Sequence, residues 1–384
     1  MSKELLLRLY KLIMKKYLTL IGVFFFFLNA NAQQKQMNLL IGTYTNSCDS
    51  KGIYTYDFNI DTGIFKLKQS TQKTANPSFL TVSGDNKFVY SVNENGKESS
   101  VSAFKFDAKS GKLDFLNRQN SEGADPCYII NDDKNVIVAN YSGGSISVFG
   151  KTADGKLGRT KQVIQHSGKS VNAKRQESPH VHMVQFSPDK RFVLANDLGT
   201  DRIYLYRYFA DLEKDNLELK DTIPIKSGSG PRHLAFSQDG KTVYLLQELD
   251  GTITVFNYAM GKFRRIQETT VVSPGFKGET GAADIHVSED RKFLYATNRG
   301  DANTISTFSI DLSGKLSLVK TISTGGKGPR NFAIVPDGKF VLVAHQYSND
   351  VTIFSRDKVT GELTNTGKKI ELCSPVCLIF APEK

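Results

Sequence analysis

The 384 residues are 39% hydrophobic and 23% charged, with 31 glycines, 40 Tyr plus Phe and no Trp, the composition of an ordinary globular protein with many short strands and turns. The formal net charge is +11, but residues 1–32 carry +4 of it, and the remaining +7 is spread without a basic block. That distribution speaks against nucleic-acid binding and for a solvated surface.

The N-terminus reads as a separate object. From Met14, "MKKYLTLIGVFFFFLNANAQQ" joins a basic pair, Lys15 and Lys16, to an apolar run over residues 17–28 and to Ala30-Asn31-Ala32 ahead of Gln33. This is the layout of a secretory signal peptide cleaved after Ala32, with Met14 a natural start. The apolar run is shorter than the roughly 20 residues a membrane span needs, so no stable span is expected after cleavage and the mature chain is expected to be exported, to the periplasm.

From residue 38 onward the chain repeats. Segments such as "NPSFLTVSGDNKFVYSVNEN", "GPRHLAFSQDGKTVYLLQELD" and "GPRNFAIVPDGKFVLVAHQYS" each start at a Pro and run through an Asp-containing turn. The Pro or its Ala replacement falls at 77, 126, 179, 231, 283, 329 and 375. Each unit holds four strands, A to D, separated by hairpin turns. A period near 50 with four strands predicts an all-β, seven-bladed β-propeller, a single domain over residues 33–384. The mature N-terminus begins with a B-like strand, "NLLIGTY", and the C-terminal "SPVCLIFAP" supplies the missing A strand, so both ends of the chain close the first blade.

Cys48, Cys127, Cys373 and Cys377 have no C-x-x-C spacing, which speaks against zinc. Cys48, in the first blade's B–C loop, and Cys373, just before its closing strand, belong at one mouth. The propeller reading predicts a disulfide between them, with unrelated free thiols as the alternative.

Strand A starts and strand B ends at the same mouth. One and three residues after the Pro position stand Ser78/Leu80, Cys127/Ile129, His180/His182, Arg232/Leu234, Asp284/His286, Arg330/Phe332 and Val376/Leu378. The third position is apolar in five blades, so His182 and His286 depart from what the fold wants, and His182→Leu is expected to fold and even to gain stability. At the end of B, Asn recurs as a turn former. The residue after it varies: Tyr44, Glu94, Tyr141, Asp197, Glu248, Arg299 and Gln346. Variation at a repeated mouth position marks a built site. His182, Arg232, Glu248 and Arg299, from three successive blades, form the predicted catalytic cluster, and His180, Asp197, Tyr141, His286 and Arg330 the predicted substrate contacts. A base to activate water and cations for an oxyanion and an anionic group are what lactone opening needs. The arginines would repel a metal ion, so neither metal nor cofactor is expected.

The motifs "HVHMVQFSPD", "GPRHLAF", "QELDGTITVF" and "RKFLYATNRG" resemble the lactonase family of seven-bladed propellers, that of propeller-type 6-phosphogluconolactonase and the fungal carboxymuconate lactonizing enzyme. A looser resemblance, through "FVYSVN" and "FLYATN", is to surface propellers with generic blades. The lactonase resemblance covers residues 38–384 and implies functional roles at His182, Arg232, Glu248 and Arg299. Gln247, where that family more often has Asn, is a departure that leaves the neighbouring acid in place. It implies an enzyme acting on a small, anionic, sugar-derived lactone. The competing expectation is a non-enzymatic exported propeller that binds a sugar, peptide or protein.

Overall fold

A computed structural model describes residues 36–383, together with Lys3, Glu4, Leu7, Tyr10, Lys11 and Met14, which are helical and exposed. Apart from Met14, the predicted leader lies outside the described residues. No helix among the described residues is long and apolar enough to cross a membrane.

Seven four-stranded antiparallel sheets account for the rest, and residues 37–384 form one compact unit. In the first blade the C-terminal strand Pro375–Pro382 is innermost and pairs with the N-terminal strand Gln36–Thr43, Leu40 opposite Ile379, as expected from the split repeat. Pairing the two ends in one sheet covers the edge that the N-terminal strand would otherwise expose and completes the fourth strand of this blade. Cys48 and Cys373 are disulfide-bonded beside this closure, Cα to Cα 6.0 Å, while Cys127 and Cys377 are buried free thiols.

Local chemistry explains the blade. The A–B turns repeat a Ser-x-Asp device: Ser83, Ser187, Ser237 and Ser288 each donate to the Asp two residues on, at 2.6–2.7 Å. Such side-chain bonds mimic a backbone turn and reverse the chain tightly. Strands A to C are buried on both faces, whereas the outermost strands, such as Lys112–Asn120, alternate exposed and half-buried residues. The core lies between blades: Ile137, Ala139 and Val148 of one blade pack on Val184, Val193 and Tyr204 of the next.

Each inner strand is launched from a turn whose last residue is left-handed in five blades: Asn76 (φ 39°), Asp125 (51°), Gly230 (68°), Gly328 (70°) and Ser374 (40°). That conformation suits Gly, Asn and Asp. In all seven blades the carbonyl of this residue accepts the N–H of the residue just past strand B. The donors are Tyr44, Glu94, Tyr141, Leu198, Glu248, Arg299 and Gln346. One clasp per blade thereby builds a ring of seven side chains at the mouth.

Those clasps correct the alignment drawn from the sequence. In the fourth blade the clasp carbonyl is His180, so Val181, not Pro179, stands in the Pro position. In the sixth it is Gly281, so Ala282 stands there, not Ala283. The apolar position three residues on is then filled by Leu80, Ile129, Val184, Leu234, Ile285, Phe332 and Leu378, all buried, with no exception. His182 is instead the structural equal of Arg232 and Arg330, and His286 lies one residue beyond Ile285.

Candidate active site

A β-bulge follows the Pro position in the inner strands, and the extra residue sits between a pair of register partners. Those residues, among them Cys127, His182, Arg232 and Arg330, converge with Ser78 and Val376 around a void of about 10 Å³ on the axis. Above it a cavity of about 300 Å³ opens among Tyr44, Glu94, Tyr141, Arg175, Glu248 and Arg299, with Cys127, His182 and Arg330 at its base. That volume is at the small end for a ligand site.

Glu248 is the centre. It is buried, and its Oε2 receives Arg232 Nε at 2.9 Å and Arg299 Nη2 at 3.1 Å, while Oε1 receives Arg175 Nη2 at 2.7 Å. His182 Nε2 stands 3.8 Å from Oε2. Burial works to raise the pKa of Glu248, but Arg299, Arg232, His182 and Arg175 outweigh it and hold the carboxyl well below its usual range. The group is a carboxylate at any physiological pH. Burial, then Arg232 and His233, keep His182 neutral. Among the described residues its Nδ1 meets only the Cys127 thiol, at 3.7 Å, and its ring packs edge-on to Tyr141 and His233.

The arginines differ in freedom. Arg232 is buried and also donates to the Ala283 carbonyl; burial and the neighbouring Arg299 bring its pKa down to about 9. Arg299 also donates to Gly281 O at 2.9 Å. Arg330 lies over the Tyr44 ring at 5.6 Å and makes no hydrogen bond to a described residue. Tyr44 in turn donates to Glu94 Oε2 at 2.8 Å.

The four residues predicted as catalytic, with Tyr141 and Arg330, are thus brought together. Three other predicted contacts are not on the cavity. His180 precedes the strand and stacks behind Tyr141, centroids 4.6 Å apart, with Nδ1 3.1 Å from the Tyr141 carbonyl oxygen. His180 lies outside the strand and His182 is the bulge residue, so strand alternation does not turn their rings to one face. Asp197 belongs to the turn-forming ring of Asn93, Asn140 and Asn298, and Leu198 holds the mouth position in its blade. The Asp197 carboxylate is buried and accepts His166 Nδ1 at 2.8 Å and the His180 N–H at 2.8 Å. His286 lies deeper in the channel, bound to Asp284 at 3.0 Å, and Asp284 also takes His233 Nδ1 at 2.8 Å and Asn331 Nδ2 at 2.6 Å.

Arg175, Tyr44, Glu94 and Cys127 are cavity residues that the sequence reading did not select. Tyr44 and Glu94 already stood in the variable mouth position. Arg175 had one signal, the length of the loop over residues 166–180, since long ordered loops in compact folds tend to be functional. Among the described residues no group of three or more His, Cys, Asp and Glu is arranged to hold a metal ion.

These features define a seven-bladed propeller with a small-molecule pocket at its axial mouth, built on one buried carboxylate among arginines. The chain belongs to the lactonase family of seven-bladed β-propellers, whose model matches residues 38–380. It is 33% identical over 352 residues to a 6-phosphogluconolactonase of Bacillus subtilis, covering 88% of this chain and 97% of that one. It is 36% identical over 332 residues to a 6-phosphogluconolactonase of Formosa agariphila, covering 85% and 94%. Among solved structures it is similar to a candidate 6-phosphogluconolactonase from Bacteroides fragilis, with a TM-score of 0.88 at 42% identity over 92% of this chain and all of that one. It is also similar to the periplasmic gluconolactonase PpgL of Pseudomonas aeruginosa, with a TM-score of 0.86 at 37% identity over 91% of this chain and all of that one.

Proposed function

We propose that the chain is a 6-phosphogluconolactonase-like hydrolase that opens a sugar-derived lactone with water, without metal or cofactor. The observation that carries this is Glu248: a buried carboxylate that lines the cavity and is held ionised by arginines. A propeller serving only as a scaffold has no need of that arrangement. Glu248 takes the proton of the attacking water, and Arg299 and Arg232 keep it aligned and lend positive charge to the oxyanion formed at the carbonyl carbon. Collapse breaks the bond from that carbon to the ring oxygen. The proton on Glu248 returns to that oxygen, and the product acid ionises. His182, neutral and 3.8 Å away, is the second proton acceptor within reach. Arg330, whose side chain makes no hydrogen bond or close ion pair to a described residue, suits a phosphate or carboxylate on the substrate. Activity on 6-phosphogluconolactone and gluconolactone is the family reading, from the relatives above. The leader sequence, the Cys48–Cys373 disulfide and the periplasmic relative support export.

The test is Glu248→Gln, which preserves shape and removes charge. Lactone opening followed by acid release should fall roughly 10²–10⁴-fold, with chelator leaving the wild type unchanged. Full activity in the variant, or loss with chelator and recovery with zinc, would refute the mechanism.

A further inference from the structure

The four arginines of the cavity are not equally fixed. Arg232 and Arg299 each bind Glu248 and a backbone carbonyl. Arg175 comes from the rim loop, and its side chain is 42% exposed although it bonds Glu248 Oε1 at 2.7 Å and the Tyr141 hydroxyl at 3.1 Å. Its backbone is held firmly: the buried Gln176 beside it donates to Leu198 O at 2.8 Å, and the Arg175 and Gln176 N–H groups both bond to Asn172. Anchored backbone and exposed head describe a side chain that can swing while its loop stays put. The pair is open to solvent on the Arg175 side alone, since Glu248 is buried. If it leaves, Oε2 of Glu248 keeps both of its arginines, and Oε1 alone is freed.

We propose that Arg175 is a substrate-responsive cap on Glu248: the anionic group of an incoming lactone draws its guanidinium off Oε1, leaving that oxygen to take the proton of the attacking water. This rests on Glu248 being the base. The charged and titratable groups facing Glu248 are Arg175, Arg232, Arg299, Arg330, His182, Tyr141 and the Cys127 thiol. With three arginines bonded to it the carboxylate is a weak base, and removing one cation strengthens it. The cap therefore favours anionic over neutral lactones at the chemical step as well as in binding. Arg175 is a positioning residue in this account.

The experiment compares wild type, Arg175→Gln and Arg175→Lys on 6-phosphogluconolactone and on uncharged gluconolactone, with Glu248→Gln as control, across pH. In Arg175→Gln, kcat/KM for the phosphorylated lactone should fall roughly 10–100-fold, the worth of a charge-assisted hydrogen bond. The value for the neutral lactone should hold or rise, and its acid limb should move to higher pH because free Glu248 has lost a cation. Arg175→Lys should recover part of the discrimination. Equal losses on both substrates, or an unchanged ratio, would overturn the cap, as would a wild type without preference for the phosphorylated lactone. An active Glu248→Gln variant would instead remove the base and the cap together. An inactive one with an unmoved ratio removes the cap alone.

Discussion

His182 shows how one residue's role depends on register. Its structural equals in the other blades include Ser78, Cys127, Arg232 and Arg330, so no blade-wide preference for a hydrophobe acts on it, and the gain in stability expected from His182→Leu loses its basis. The variant should still fold. Leu is close to His in volume, and the ring's polar contacts are long, 3.7 Å to the Cys127 thiol and 3.8 Å to Glu248 Oε2, an oxygen that keeps Arg232 and Arg299. Thermal stability is expected within about 1.5 kcal/mol of wild type, while kcat/KM for the best lactone drops roughly 10²-fold or more. Calorimetry beside a lactone assay checks both. A folded, fully active variant would take this histidine out of the chemistry.

At the scale of an element, Asp197 clasps a loop. It accepts from His166 where the loop over residues 166–180 begins and from the His180 N–H where it ends, and it also caps the Gly199 and Thr200 N–H groups. Three blades carry Asn at this position, so Asp197→Asn retains the turn but loses the charge that holds His166. Hydrogen bonds to a charged group are worth about 1.5–3 kcal/mol, and that loss falls on the loop carrying Arg175. Trypsin should cut at Lys169, Lys174 or Arg175 several-fold faster in the variant, with the blades intact. Unchanged cleavage would mean that Gln176 alone secures the loop.

For the whole molecule, closure is the central fact. Both chain ends lie in one sheet, and the Cys48–Cys373 disulfide spans 325 residues beside it. A cross-link closing so long a loop stabilises chiefly by constraining the unfolded chain, typically by about 2–4 kcal/mol. For a chain of this size that is roughly 3–5 °C in Tm. Cys48→Ser with Cys373→Ser should show that fall. Denatured, unreduced wild type should present two thiols, Cys127 and Cys377; four thiols would contradict the bond.

The sequence by itself determined the propeller, the number of blades and the split first blade, offered a Cys48–Cys373 disulfide against free thiols, and singled out His182, Arg232, Glu248 and Arg299 as candidates. The blades are written in a period and in turn chemistry, which are local along the chain, whereas His182 drew attention as a departure from an apolar position that Val184 in fact fills. Tertiary structure decided the rest. The bulge registers in the fourth and sixth blades follow from which carbonyl meets the N–H past strand B, not from where a Pro stands. They moved Asp197 out of the mouth ring and His286 down the channel. Arg175 reaches Glu248 from 73 residues away because a loop outside the repeat folds over the mouth. No periodicity governs such a loop, and its hydrogen bonds to Asp197 and Leu198 exist only once the blades are assembled.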